Sequence, residues 1–299
     1  MKKIAVIDLG SNTFHLLIVN VTKDRIFETE CRERVFTGLS DGGIHKIKKE
    51  KLKYGLDTLT KFKQILDHHQ VKNLRIVGTE VLRKAINRHE FIAKAEEILG
   101  AEIEIIEGYA EATYIYKGIM LQKQMRMGTH LIMDIGGGST EFILIHDGDK
   151  IWAQSYTLGV GVLHEMFHHE EPMGRPSIYN LQNHIEHTIG DMLDLMQGYK
   201  VDSIIGASGS FEVLQSMSGK ITDETQISEI SMPEFSAIYQ KIINADFKER
   251  ENLKGLPAER VKLIVVGMVL KKVITDYINP TRIMVSPFSL KEGVLSEMM

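Results

Sequence analysis

The stretch from Leu131 to Ile145 constrains the fold most, because its plan occurs twice. An apolar run (Leu131, Ile132, Met133) leads into Asp134-Ile-Gly-Gly-Gly-Ser-Thr-Glu141, and a second apolar run, Phe142 to Ile145, follows. Near the N-terminus, Ile4-Ala-Val-Ile precedes Asp8-Leu-Gly-Ser-Asn-Thr13, and Phe14 to Val19 completes the same pattern. Strand, glycine turn, strand, recurring at long spacing and not at the short period of a solenoid, predicts duplicated α/β domains facing each other across a cleft. Neither loop matches Gly-x-Gly-x-x-Gly before a helix or ends in Gly-Lys-Ser/Thr, so Rossmann and Walker readings fit poorly. A length of 299 residues also exceeds a usual single core. The polar and basic segment from Gln122 to Gly128 marks the boundary, giving domains 1–124 and 125–299.

Gly136, Gly137 and Gly138 have no Cβ, so successive N–H groups can turn inward and form a concave anion site. Asp134 and Glu141 stand at the two edges of this loop. Their hard oxygens suit Mg2+, which keeps several waters and takes one or two carboxylates plus phosphate oxygens. An ordinary glycine-rich hairpin with two solvated carboxylates is the competing explanation, and the second copy of the motif weighs against it.

Composition is that of an ordinary globular protein, and the net charge of -4 argues against wholesale nucleic-acid binding. Cys31 is the single cysteine, which excludes an intramolecular disulfide and a cysteine zinc site and fits a reducing cytosol. The apolar run before Asp8 is too short for a signal sequence, and Leu263 to Leu270 is too short to span a bilayer. The expectation is a cytoplasmic protein with no membrane partner.

Between the motifs, periodicity predicts an extended segment at Arg25 to Phe36 and a helix over Lys46 to His69. Lys46, Lys48, Lys49, Lys51 and Lys53 crowd the start of that helix, as a solvated face or as a guide for a polyanion. A strand at Leu74 to Val77 precedes Gly78 to Ala85 and one helix to about Leu99. Arg83, on its first turns, could fork onto phosphate or make a rim ion pair. After a strand at Ile103 to Ile106, Gly108 opens a helix with Glu111 early in it, a position where a carboxylate often complements the helix dipole.

In the second half the pattern predicts a strand at Ile151 to Thr157 and helices over Gly159 to His168 and Ser177 to Gln197. It then predicts a strand at Val201 to Ile205, a small-residue turn Gly206-Ala-Ser208-Gly209-Ser210, and a helix at Phe211 to Met217. Strand, small turn, helix is a further anion-site pattern. His164, His168, His169, His184 and His187 have spacings that permit metal binding, although carboxylates suit Mg2+ without them. A polar loop (Ile221 to Ile230), helices at Pro233 to Ala245 and Ala258 to Tyr277, a strand at Arg282 to Val285 and a helix from Leu290 complete the chain.

Taken together, Asp8 to Phe14, Thr79 to Ala85, Gly108-x-x-Glu111-Ala, Asp134 to Glu141, Leu158-Gly159, Gly206 to Ser210 and Ser286 to Gly293 resemble the exopolyphosphatase and guanosine pentaphosphate phosphohydrolase family. That family belongs to the actin-like superfamily, whose duplicated plan actin, hexokinase and acetate kinase share. The resemblance implies an α/β fold of two ribonuclease-H-like lobes with an interlobe cleft, the terminal helix packing back on the first lobe. It implies water attack on a terminal phosphoanhydride, a reaction that needs N–H donors, a divalent cation and a group that orients water. Carried over by residue, Glu111 matches the carboxylate that activates water, and Asp134 and Glu141, with Asp8, match the Mg2+ site. Ser11, Asn12 and Thr13 match one phosphate loop, Gly136, Gly137, Gly138 and Ser139 another, and Ser208 and Gly209 a third. Arg83 matches a phosphate-binding arginine.

Three departures qualify this. His15 and Lys291 stand where members of the family carry arginines, which weakens bidentate phosphate binding and counts against guanosine pentaphosphate (pppGpp). The chain stops after the second lobe, where longer members append a helical domain, which counts against processive work on long polyphosphate. Tyr109-Ala110 replace frequent acidic residues. The expected activity is Mg2+-dependent release of terminal orthophosphate from polyphosphate, with pppGpp hydrolysis as the alternative. A superfamily kinase, a nucleotide-binding module and Ser139 as nucleophile rank lower. A homodimer is compatible with this reading.

Overall fold

The computed structural model describes residues 2–24, 26–220 and 226–299. The chain forms two compact units, Met1–Leu121 with Leu290–Met299, and Gln122–Ser289.

The first unit is built on β1 (Lys2–Leu9), β2 (Thr13–Val21), β3 (Phe27–Phe36), β4 (Asn73–Gly78) and β5 (Ile103–Ile105), in the order β3-β2-β1-β4-β5. The first three strands form an antiparallel meander, and β4 and β5 add in parallel to β1. Ile4 to Ile7 are fully buried, as expected of a central strand covered on both faces. Its helices are α1 (Lys49–His68), α2 (Glu80–Lys84), α3 (Arg88–Leu99), α4 (Gly108–Met120) and the terminal segment Leu290–Met298.

The second unit repeats this topology. Strands β6 (Thr129–Ile135), β7 (Thr140–His146), β8 (Asp149–Tyr156), β9 (Ser203–Ala207), β10 (Ser228–Ser231) and β11 (Arg282–Val285) form a sheet ordered β10-β11-β9-β6-β7-β8. Again a meander (β6 to β8) is extended by two parallel strands, with β10 added antiparallel at the edge. The helices here are α5 (Val160–Phe167), α6 (Arg175–Thr188), α7 (Gly190–Met196), α8 (Gly209–Met217), α9 (Met232–Asn244), α10 (Phe247–Glu251) and α11 (Ile264–Ile278), which leaves Leu290–Met298 as α12. The repeat extends to hydrogen bonds. Asp8 faces His15 across β1–β2 as Asp134 faces Glu141 across β6–β7, and Gly10 N–H donates to Thr13 O at 3.1 Å as Gly136 N–H donates to Ser139 O at 2.9 Å.

Several elements differ from the sequence expectation. The helix predicted to run from the Gly78 turn to Leu99 is two helices. Ala85 is extended (φ -66°, ψ 131°), and the Asn87 amide bonds both backbone groups of Ile47, so residues 85–87 leave the helix to hold that segment. The helix predicted over Ser177 to Gln197 breaks at Ile189 (φ -104°, ψ 18°), whose side chain is fully buried and which precedes the weak helix former Gly190. Helix α1 begins at Lys49, because Lys48 is extended, so Lys46 and Lys48 precede it. The polar loop expected over Ile221 to Ile230 lies partly outside the described residues, and its end is strand β10, formed by pairing Ser228 to Ser231 with β11. A 3-10 turn, Ala258–Arg260, replaces the start of the helix expected at Ala258, and α10 was not expected.

Candidate active site

Loop 136–139 joins β6 to β7 and is held from below by the start of α5. Gly159 N–H donates to Gly138 O (3.2 Å), Val160 N–H to Gly136 O (3.0 Å) and Gly161 N–H to Gly137 O (2.8 Å). The glycine carbonyls are therefore committed to α5 and Gly136 N–H to Ser139 O, while the Gly137 and Gly138 amides donate to no backbone carbonyl among the described residues, the arrangement an anion cradle needs. Gly159 is required by the close approach, since a Cβ there would lie 2.3 Å from Gly138 backbone atoms. The isolated pair Leu158-Gly159 in the sequence thus belongs to the loop's support.

Asp134 and Glu141 are direct cross-strand partners on one sheet face and are 8% and 1% exposed. Like charges in this position repel, so a cation beside them is favoured. Glu141 Oε1 accepts from the hydroxyls of Ser139 and Ser155, each at 2.7 Å, and Asp134 Oδ2 accepts from Ser289. Hydroxyl donors thus orient both carboxylates. Among the described residues no three His, Cys, Asp or Glu side chains converge as a cage, the five noted histidines included. Two carboxylates in a hydroxyl-lined site fit Mg2+, which remains largely hydrated, better than they fit zinc.

Loop 206–210 lies next to this one. Strands β6 and β9 are parallel neighbours with Asp134 paired to Ala207, and Ser208 Oγ donates to Ile135 O at 3.1 Å. The second unit therefore brings Gly136 to Ser139 and Ser208-Gly209 to the carboxyl ends of adjacent strands, where ligands of open α/β sheets bind.

In the first unit, Ser11, Asn12 and Thr13 form the equivalent turn. Its carbonyls are also engaged: Asn12 O accepts from Thr37 and Gly38 N–H, and Ser11 O from Ser40 N–H. Ser11 Oγ accepts from Val81 N–H at 3.2 Å, tying the turn to α2. Asn12 Oδ1 accepts from Ser40 Oγ at 2.7 Å, and its buried Nδ2 has no hydrogen-bond acceptor among the described residues. A buried donor in this condition fits an anionic oxygen. Asp8 lies on the same strand end, opposite His15.

Arg83 and Glu111 meet in this unit. Arg83 Nη1 donates to Glu111 Oε2 at 2.9 Å and to Ile106 O, while Nε and Nη2 donate to Glu80 Oε2 at 3.0 and 2.6 Å. Four of the five guanidinium N–H groups are thus committed within the protein. Burial opposes its charge, and the Glu111 and Glu80 carboxylates outweigh burial and hold its pKa above the ordinary value. Here Arg83 holds in place, at 2.9 Å, the Glu111 carboxylate, itself buried at the start of α4. Glu80, Ser155, Ser289 and Ser40 were missed in the sequence, where single hydroxyls and a helix-start glutamate carry no pattern; only the register and tertiary contacts reveal them.

A duplicated ribonuclease-H-like sheet with a glycine turn at each first hairpin defines an α/β protein of actin-like fold. The model of the Ppx/GppA phosphatase family matches residues 18–299, and the chain belongs to that family. It is similar to a Haemophilus influenzae protein provisionally named an exopolyphosphatase, with 28% identity over 99% of this chain and 91% of that one. A guanosine-5'-triphosphate,3'-diphosphate pyrophosphatase of Vibrio vulnificus is 31% identical over 99% of this chain, which spans 59% of that relative's length. Among solved structures, an exopolyphosphatase from Cytophaga hutchinsonii superposes with a TM-score of 0.94 at 33% identity, covering 99% of this chain and 97% of that one.

Proposed function

We propose that this chain is a Mg2+-dependent phosphohydrolase that releases terminal orthophosphate from inorganic polyphosphate by direct attack of water. The observation that carries the reading is the 136–139 loop, its carbonyls turned onto α5, beside the opposed and buried Asp134–Glu141 pair. In the reaction a water oxygen bonds to the terminal phosphorus, the bridging P–O bond breaks, and the shortened chain leaves with the bond's electron pair. Mg2+, held through Asp134 and Glu141 with Asp8 contributing, would neutralise charge on the phosphate oxygens. The glycine amides, the Asn12 amide and loop 208–209 would bind phosphoryl oxygens, and Glu111 would orient the water and take its proton. A carboxylate held in place by Arg83 suits this role, because a loose phosphoryl-transfer transition state asks more of positioning than of basicity. The likeness to the Cytophaga hutchinsonii exopolyphosphatase supports polyphosphate. The Vibrio vulnificus relative supports pppGpp as the second reading.

The test is orthophosphate release from polyphosphates of several lengths and from pppGpp, with Mg2+ or EDTA. Glu111→Gln should lower kcat at least about a hundredfold, the lower end for a lost general base. Release from pppGpp alone selects the second reading, and Mg2+-independent release or an active Glu111→Gln enzyme refutes the assigned chemistry.

A further inference from the structure

Lys271 lies in the middle of α11 and is 1% exposed. A buried ammonium ordinarily has a carboxylate partner, and this one has none among the described residues. Its Nζ donates to Ser210 Oγ at 3.0 Å and to Gly267 O of its own helix at 3.4 Å, and it stands 4.7 Å from the centroid of the Phe211 ring. Phe211 in turn packs closely against the end of β9, where a Cβ at Gly206 would be 2.0 Å from the ring. The lysine is therefore seated directly beneath the 206–210 loop.

That loop bears a second mark of function. Ser208 has φ 72° and ψ 169°, a region in which only glycine is at ease. Its hydroxyl reaches Ile135 O, the residue before the glycine loop. A strained residue and a buried cation without a counter-ion, on one five-residue turn, are both costly to the folded chain, and an anion at the turn would offset the second cost. Only one charged group, Arg260, acts on Lys271 electrostatically among the described residues, and it is also cationic. No carboxylate or imidazole on the packed helices α5, α6, α8 and α9 does so, Glu212 next to Phe211 included, and Tyr239 of α9 faces Lys272.

We propose that Lys271 is a positioning residue of the 206–210 loop, which holds the Ser210 hydroxyl and lends its buried charge to an anionic phosphoryl group bound at that loop. The inference rests on the reading that the loop receives phosphoryl oxygens. Burial, with Arg260 adding to it, pushes the Lys271 pKa down to about 7. Near neutral pH the empty loop therefore sits above a lysine that is only partly protonated, and anion binding restores the proton. Phosphoryl binding and proton uptake become linked.

The test uses the full chain and inorganic tripolyphosphate in EDTA, followed calorimetrically at pH 7.5 in two buffers of different ionisation enthalpy. Wild type should take up about 0.5 to 1 more proton per binding event than Lys271→Met, since the probe's own protonation is common to both proteins. Lys271→Met should also bind about tenfold more weakly, the loss of one nearby charge in a partly screened interior. The second measurement needs no variant: in lysine-labelled wild type, the NMR titration midpoint of Lys271 should rise by about one unit or more on adding the probe. Equal proton uptake and equal affinity in the two proteins, or an unmoved midpoint in the presence of bound probe, overturns the proposal and leaves the phosphohydrolase reading intact. A wild type that binds no tripolyphosphate in EDTA overturns this proposal alone, since the phosphohydrolase reading is decided by release in the presence of Mg2+. If Lys271→Met does not fold, the NMR midpoint alone decides.

Discussion

Ser208 shows how one residue can report on a site. A serine at φ 72° and ψ 169° carries roughly 1–3 kcal/mol of backbone strain, offset in part by its bond to Ile135 O. Replacing it with glycine or alanine removes that bond in both cases, so comparing the two variants isolates the strain. Ser208→Gly should be more stable than Ser208→Ala by about 1–2 kcal/mol in urea unfolding, despite the greater freedom of glycine in the unfolded chain. An alanine variant equal to or better than the glycine one would remove strain from the account of this loop. Such a residue could not be recognised in the sequence, where Gly206-Ala-Ser208-Gly209-Ser210 is only a small-residue turn; its conformation is imposed by β9, α8 and the neighbouring strand. The same holds for Lys271, which sits in an apolar stretch and acquires meaning only when α8 is folded against α11. By contrast, Asp134 and Glu141 were legible as the edges of one loop, because a hairpin with a tight turn makes residues equidistant from its tip into partners.

At the scale of elements, the strands other than β10 were legible and the helix breaks were not. Strand β6 is an apolar run that needs only its own residues to be recognised, whereas α2 ends because Asn87 is required 40 positions earlier in the chain, at Ile47. Strand β10 is short and polar and is a strand only because β11 offers it an edge. The end of α5, the segment after it and α10 together carry a titratable cluster. The His164 and His168 rings lie 5.0 Å apart, and His168 Nε2 is 3.2 Å from Glu171, which also receives Arg250 at 2.6 Å. Burial first, then His168 and the cation Lys262, pushes the His164 pKa down to about 4, and burial also lowers that of His168. An unfolded histidine titrates near 6.5, so between about pH 6.5 and pH 4 the unfolded chain binds more protons than the folded one. Stability should therefore be full above about pH 6.5 and fall as pH drops toward 4. Melting temperatures at pH 7, 5.5 and 4.5 measure this, and His164→Gln should flatten the decline. A wild-type decline confined below pH 4 would assign acid sensitivity to carboxylates instead.

For the whole molecule, the consequential feature is that the first unit takes its last helix from the far end of the chain. Helix α12 is seated on α4 closely enough that a Cβ at Gly293 would lie 1.7 Å from Tyr114 O. Glu292, fully buried, pairs with Arg32 of β3 at 3.2 Å, and Glu297 receives Arg75 of β4 at 2.8 Å, with Tyr114 and Lys117 of α4 beside it. Burial works against the Glu297 carboxylate, and hydrogen bonds from Lys117, Arg75 and Tyr114 outweigh it and hold its pKa down to about 2. Residues 290–299 therefore complete the core over β1, β4 and α4, while the second unit has its own sheet and its own hydrophobic cluster without them. Ending the chain at Ser289 should destabilise the first unit alone. Buried Leu290, Val294 and Leu295 would be lost, roughly 1.5–3 kcal/mol each, together with buried Glu292 and its contact to the part-buried Arg32. Calorimetry of the shortened chain should show one transition near that of the parent and one shifted to much lower temperature or missing. Hydrogen exchange should then show lost protection in β1 and β4 and retained protection in β6 and β9. Uniform loss of protection across both sheets would mean that the two units unfold as one and that α12 serves the stability of the entire chain.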